Sequence, residues 1–267
     1  MPKMHGISAK DEGRDIVWSN SSKDYATWRS GPSKKFYDLL KAMNLGLPRQ
    51  SILDIGTGTG IVARTLASQG VNVSASDISE GQIIEARKLA EEANLTIDFR
   101  IAASELLPFK SKSYDAIIAS QCWLYFDLEK TIPEIIRLLK KDGRLVTVHN
   151  CWLPLQDPIA KATEKLVLKH NPAWSASGYT GNIPNSPEWS KKDLEVEASF
   201  FFDEDIHFTP KSWSGRIRAC RGIGASLTQS EIEAFDREHL SLLKEIGGDS
   251  FTIKHRTDAH LFKVRKT

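Results

Sequence analysis

Residues 51–60 read SILDIGTGTG: an apolar run, an aspartate, then glycine at positions 56, 58 and 60. The apolar run predicts a buried strand, Ser51 to Ile55, and the glycines predict a sharp turn from that strand into a helix. A backbone so bare lets a ligand approach the main chain to van der Waals distance. A dinucleotide fingerprint, GxGxxG, would place its third glycine at position 61, where this chain has Ile61; the spacing is wrong for it. A phosphate-binding P-loop also fails, because no Lys-Ser or Lys-Thr pair follows the glycines.

Working outward, short apolar runs alternate with helical patterns, as βαβ units feeding a parallel sheet do. Ile61, Val62, Leu66 and Ala67 mark a helix face that stops at Gly70. Val71 to Asp77 is a second strand. Ser79 and Gln82 have the spacing of a capping box for a helix carrying Ile83, Ile84, Leu89 and Ala90. Ile97 to Ala102, Tyr114 to Ser120 and Arg144 to Val148 read as the third, fourth and fifth strands. Between the last two, Ile132, Ile135, Ile136 and Leu139 fall at helical spacing, with Pro133 expected in the first turn and a stop at Asp142-Gly143. Beyond Val148 the rhythm breaks. A helix near Pro187 to Glu197, a strand from Phe200 to Phe208 and a last strand from Ala259 to Arg265 restore it, the last strand expected to be antiparallel.

The expected fold is α/β: a Rossmann-like, doubly wound sheet of about seven strands with helical lid insertions. One domain spans 1–267, with a leader and first helix at 1–50, a cofactor-binding core at 51–150, and insertions at 151–185 and 209–248 that cap the carboxyl edge of the strands, where ligands bind in such sheets. The chain has 267 residues, 40% of them hydrophobic, enough for one full core. Lys plus Arg is 36 against 34 for Asp plus Glu, a net charge of +2, so no nucleic-acid partner is expected. The amino-terminal stretch MPKMHGISAKDEGRD lacks the apolar core of a secretory signal, and no stretch approaches the ~20 apolar residues that span a bilayer. A cytoplasmic protein, monomer or homodimer, is expected. Cys122, Cys151 and Cys220 are odd in number and widely spaced, which predicts free thiols rather than disulfides or a zinc site, and no metal.

A second signal lies at Asp77, 21 residues beyond Gly56, where a carboxylate at a strand end can accept both hydroxyls of a ribose. Together DIGTGTG (54–60), ASDIS (75–79), ELLPF (105–109) and YDAIIASQ (114–121) resemble the successive motifs of class I S-adenosylmethionine-dependent methyltransferases, over about residues 20–150. LLPF and QCWLYF are similar to segments of the small-molecule branch, ubiquinone-biosynthesis C-methyltransferases and trans-aconitate methyltransferase. The resemblance implies S-adenosyl-L-methionine as cofactor and S-adenosyl-L-homocysteine as product. It implies that Asp54, Gly56, Thr57, Gly58 and Gly60 form the loop at the methionine part, that Asp77 holds the ribose, that Ile78 packs on the adenine, and that Ser104 with Glu105 lies along its edge. Where relatives often carry an acidic residue, this chain has Ala103. DYATWRSGP (24–32) is similar to the segment by which relatives close over the cofactor, which implies roles for Tyr25 and for Arg29, the latter at the methionine carboxylate; an ordinary surface arginine is the other reading.

Methyl transfer is an in-line displacement that needs alignment and exclusion of water, not a metal. Gln121 and Tyr125, leaving the fourth strand, are expected beside the cofactor. Trp123 and Phe126 equally suit core positions under a loop. His149, just past the fifth strand, stands where a base would take a proton from a hydroxyl or ammonium acceptor, or where a neighbouring backbone group would satisfy it; Tyr125 and His149 are the candidate catalytic residues. SWSGRIRACRGIGASL (212–227) places Arg218 and Arg221 three apart on a helix, and these with Trp123, Trp152 and Trp213 are the expected contacts to a small-molecule acceptor, an anionic one if the arginines face it. The acceptor atom, O, N or C, stays open. An RNA methyltransferase, a cofactor-binding protein without catalysis and a nicotinamide-dependent oxidoreductase are the rival readings.

Overall fold

A computed structural model of the chain describes residues 10–11 and 14–265; most of the amino-terminal stretch read for a signal lies outside the described residues. Seven strands form one sheet: β1 (Ser51–Ile55), β2 (Asn72–Asp77), β3 (Asp98–Ile101), β4 (Tyr114–Ser120), β5 (Leu139–Trp152), β6 (Leu194–Phe208) and β7 (Phe251–Val264). In space the order is β3-β2-β1-β4-β5-β7-β6. All neighbours run parallel except β7, which is antiparallel to both β5 and β6. The chain leaves β1 toward β2 and β3, then returns to β4 on the other side. The crevice at that reversal lies beyond the carboxyl end of β1, where ligands of open α/β sheets bind, and the glycine loop occupies it.

Strand periodicity divides the core. Ile52, Ala116 and Ile118 face α2 (Lys34–Ala42), α3 (Ile61–Ser68) and α4 (Glu80–Glu92), whose Phe36, Leu40, Leu66 and Ile83 are wholly buried against them. Leu53, Ile55 and Ile117 point the other way, onto Ile132, Ile135 and Leu138 of α5 (Leu128–Leu138). A third cluster, built on Trp152, Trp213, Phe235 and Ile253, unites α6 (Pro158–His170), α7 (Pro210–Arg218) and α8 (Gln229–Gly247) with the far ends of β5 and β7. In front of these, α1 (Ser22–Trp28) lies on α7. No helix among the described residues is long and apolar enough to cross a membrane, and the three cysteines are free.

Several expectations are corrected. No helix forms at Pro187–Glu197: a three-residue turn, Glu188–Ser190, is followed at once by β6. Burial along β6 alternates strictly from Leu194 to Phe208, so LEVEASFFF carries period 2, the strand period, with Glu195 and Glu197 facing water. The last strand begins at Phe251, eight residues earlier than expected, because Ile253, His255 and Thr257 continue the inward face of Ala259. At α4 the Ser79 side chain makes no cap bond; Gln82 is buried and donates to the Trp18 carbonyl at 3.3 Å instead. Helix α5 starts at Leu128, so Pro133 sits inside it rather than in its first turn, and the helix passes into β5 at Leu139 without reaching Asp142-Gly143.

Candidate active site

All three glycines of the loop have left-handed backbones, with φ of 61°, 56° and 77° at Gly56, Gly58 and Gly60, a conformation that costs other residues about 1–2 kcal/mol. Their surroundings differ. A side chain on Gly58 would come to 3.4 Å from the Tyr25 ring, and one on Gly56 to 2.6 Å from Cβ of the buried Cys122; Gly56 also lines the pocket on the far side of the loop. A side chain on Gly60 would meet Phe99 and Ala86 at 3.2 and 3.3 Å. Gly60, the residue before α3, is thus packed against β3 and α4 on its Cβ side.

The loop is pinned from both ends. Thr57 donates its amide to Ser76 O at 2.9 Å and its hydroxyl to Oδ2 of Asp54 at 2.6 Å. Asp54 is 1% exposed, and burial pushes its carboxyl up to about 7, against the hydrogen bonds from Thr57 and the Ala63 amide. Asp77 accepts the amides of Gly58 and Ser79, one on each oxygen, both at 2.8 Å. Burial raises its pKa, opposed by those same amides. Each carboxylate oxygen keeps a further lone pair for another donor. Next to it Ile78 is 68% exposed, as is Leu106 at 80% across the ends of β2 and β3, an apolar bed beside a carboxylate. Ser104 is buried with its hydroxyl on that of Thr131 at 3.1 Å, and Glu105 accepts the Asp127 amide at 3.0 Å. Both side chains thus bond to the first residues of α5 and its cap.

On the other side of the loop a pocket opens between β1, β4, β5 and the amino-terminal segment. Tyr25, Arg29, Asp54, Gly56, Thr57 and Gln121 line it, as the sequence suggests, together with Asn150, Arg216 and His255, which it did not single out. Gln121 has a left-handed backbone, φ 65°, although it is not glycine. Its amide is held by Val148 O at 2.8 Å and its side chain donates to Asn150 O; strain kept at a strand end that enters a pocket is a mark of a functional position. The Arg29 guanidinium lies 4.6 Å from the centre of the Tyr25 ring.

The remaining candidates stand elsewhere. His149 faces away from the pocket lining: Nδ1 is 3.5 Å from Oδ2 of Asp258 and its ring packs edge-on to Tyr179. His255 lines the pocket instead. Its Nδ1 donates to the Ile253 carbonyl at 2.9 Å, which leaves Nε2 as an acceptor, and burial lowers its pKa to about 4. Tyr125 lies between Trp18, at 5.0 Å edge to face, and Arg221. Trp123 packs on Trp189 and Phe126 in the core under α5. Trp213 is wholly buried and donates to Thr163 Oγ1; Trp152 is 4% exposed and donates to Glu164. None of these three tryptophans lines the pocket. Arg218 pairs with Asp24 at 3.1 Å and with Asp236 at 2.5 Å, and Arg221 donates to Ser175; neither lines the pocket. The signal for Arg216 was present: three residues after the inward Trp213, it shares that helix face, whereas Arg218, five residues after, does not. Among the described residues no cluster of His, Cys, Asp and Glu gathers to hold a metal.

A left-handed glycine crevice at the switch point of this sheet, with an acidic residue ending the next strand, defines a Rossmann-like cofactor site. Residues 53–147 match a family model described as a methyltransferase domain. An uncharacterized methyltransferase of Mycobacterium tuberculosis is 30% identical over 99 residues, 37% of this chain and 39% of that relative's length. Demethylmenaquinone methyltransferase of Thermus thermophilus is 34% identical over 41% of this chain and 52% of its own. Among solved structures, phosphoethanolamine N-methyltransferase 2 of Haemonchus contortus, bound to S-adenosylhomocysteine, has a TM-score of 0.52 at 18% identity, covering 98% of this chain and 58% of that one. At that identity the likeness concerns the fold alone.

Proposed function

We propose that this protein transfers a methyl group from S-adenosylmethionine to a small-molecule acceptor. The observation that carries the reading is the joint placement of Gly56, Gly58 and Asp77: two bare, left-handed backbone positions and a carboxylate tied to the second of them. The residues present fit the cofactor. Asp77 offers its remaining lone pairs to two ribose hydroxyls, Ile78 offers an exposed apolar face to adenine, and Arg29 and Gln121 offer donors to the methionine carboxylate. Bound S-adenosylmethionine supplies an electrophilic methyl on a sulfonium, which the acceptor's lone pair takes in line while the S–C electrons return to sulfur.

The protein's part is to orient and to exclude water. Tyr25 covers Gly58, and α1 is latched to α7 through Arg218 and Asp24, so the amino-terminal segment closes the crevice. Residues 151–185 and 209–248, which hold α6, α7 and α8, choose the acceptor. His255, neutral at physiological pH, accepts a hydrogen bond from the acceptor; it replaces His149 as the imidazole of the site.

Calorimetric titration with S-adenosylhomocysteine, followed by a radiolabelled methyl-transfer screen, tests the reading. Asp77→Ala should lower cofactor affinity at least ~10-fold, the loss of a charge-assisted hydrogen bond pair. No heat with S-adenosylhomocysteine in the wild-type protein sinks it.

A further inference from the structure

Arg216 is 5% exposed, projects from α7 into the same pocket as Arg29, and pairs with no carboxylate among the described residues. Its partners are the Cys220 thiol, to which Nη1 donates at 2.9 Å, and the face of Trp152, 5.1 Å away. A guanidinium carries five N–H donors in a rigid fork, and burying one without a counter-charge is costly. Two such cations converge on one pocket, whereas the cofactor has one carboxylate. The acidic residue on the lining, Asp54, is engaged by Thr57 and sits below the loop.

We infer that Arg216 holds an anionic oxygen group of the methyl acceptor, so that the substrate is a small carboxylate or phosphate compound. The inference rests on the reading of the site as a methyltransferase. Arg29, beside Tyr25 at the glycine loop, serves the cofactor end, and Arg216, on the insertion from 209 to 248, serves the acceptor end. The Trp152 face beneath Arg216 fixes the plane of the fork, as stacking on an aromatic ring does. Where the anionic oxygen is itself the nucleophile, no strong base is needed. That agrees with His255, whose buried imidazole is a poor one, being the histidine of the pocket.

The test is calorimetry on the full chain with malonate, inorganic phosphate and neutral malonamide, each with and without saturating S-adenosylhomocysteine. Wild type, Arg216→Gln and Arg216→Lys are compared, with far-UV circular dichroism as the check on folding. The wild-type protein should bind malonate or phosphate at least tenfold more tightly than malonamide. Arg216→Gln should lose at least tenfold for the anion while its S-adenosylhomocysteine affinity stays within about threefold, and Arg216→Lys should recover part of the loss. Preference for malonate assigns the carboxylate class and preference for phosphate the phosphate class, both within the proposal. Equal losses for anion and S-adenosylhomocysteine would move Arg216 to the cofactor end and overturn it, as would equal binding of malonate and malonamide, or no anion binding at all. Absence of S-adenosylhomocysteine binding alone would strike the methyltransferase reading, while the arms without it still decide whether Arg216 binds an anion.

Discussion

Between Ile55 and Ser79 the loop is held largely through main chain: the amides of Thr57, Gly58 and Ser79 meet the Ser76 carbonyl and the Asp77 carboxylate, within a separation of 19 residues. Between Trp152 and Gly247 the cap is made of side chains. There Trp213, Thr163, His239 and Ser214 form one buried hydrogen-bonded row, and Arg218 reaches Asp24, 194 residues away. A backbone cradle accepts any ligand with the right skeleton and tolerates little change of its own. A side-chain cap can be rebuilt to admit another acceptor without disturbing the cradle, because the two share few groups. Independence of cradle and cap is therefore the comparison to break.

The largest expected effect is on the cap. Trp213 is wholly buried between Trp152, Phe208 and His255 and donates to Thr163. Trp213→Ala should cost about 3–5 kcal/mol in urea unfolding, while the affinity of the folded protein for S-adenosylhomocysteine changes by less than about threefold. A tenfold fall in that affinity would join the two regions into one.

Acidity should pull the two regions in opposite directions. The native Asp54 carboxyl, held at about 7, keeps a proton that the unfolded chain releases above its ordinary value of 3.8, so its contribution is full below that value and is lost as pH rises toward 7. His239 and His255 are lowered to about 4, both by burial first. The unfolded chain takes up their protons below 6.5 and the native protein does not, so their contribution is lost as pH falls from 6.5 toward 4. Each group sets a slope of at most ~1.4 kcal/mol per pH unit. Asp54→Asn should steepen the loss of stability on acidification by up to ~3 kcal/mol between pH 6.5 and 4.5, read from denaturation curves at those pH values, and His239→Gln should flatten it. An unchanged slope in Asp54→Asn would show the carboxylate to be ionised in the native loop.

Within the cradle the glycines should separate. Gly56→Ala forces a left-handed alanine against Cys122, and should cost about 1–3 kcal/mol and at least tenfold in S-adenosylhomocysteine affinity. Gly60→Ala meets Phe99 and Ala86 instead; it should cost a similar stability and less than about threefold in affinity. Equal affinity losses would return Gly60 to the ligand.

This division also decided what could be read in the sequence. The strands and the turns between them were legible because local spacing fixes a strand-turn-helix, and the structure brings Arg29, Gly56 and Gln121, which the family resemblance named, onto one pocket. Spacing does not say which face of a turn meets protein, so the packing of Gly60 on Phe99 and Ala86 was not legible. In the cap, charge was read without direction: Arg218 and Arg221 were chosen over Arg216, yet their partners Asp24 and Ser175 come from distant segments that no local pattern connects. His255 lies in the part of β7 that precedes the expected strand, where alternation from Phe251 to Thr257 was the available signal.

Of the two ionic ties between cap and leader among the described residues, Arg14–Glu231 and Arg218–Asp24, the second gives the smallest and sharpest measurement. Arg218 holds Asp24 through two N–H groups at 3.1 and 3.2 Å, with side chains 18% and 34% exposed, and Asp24 precedes Tyr25, whose ring lies over Gly58. In a double-mutant cycle, Arg218→Met and Asp24→Asn should couple by about 1 kcal/mol in stability, the range for a partly exposed pair whose arginine keeps a second partner, here Asp236. If cradle and cap are independent, the coupling in S-adenosylhomocysteine affinity stays below the stability coupling, and the dissociation rate rises only a few-fold as α1 loosens. Coupling in affinity as large as that in stability would mean that closing α1 over Gly58 depends on the cap, so that an acceptor bound there would tighten the cofactor by the same factor that the cofactor tightens the acceptor.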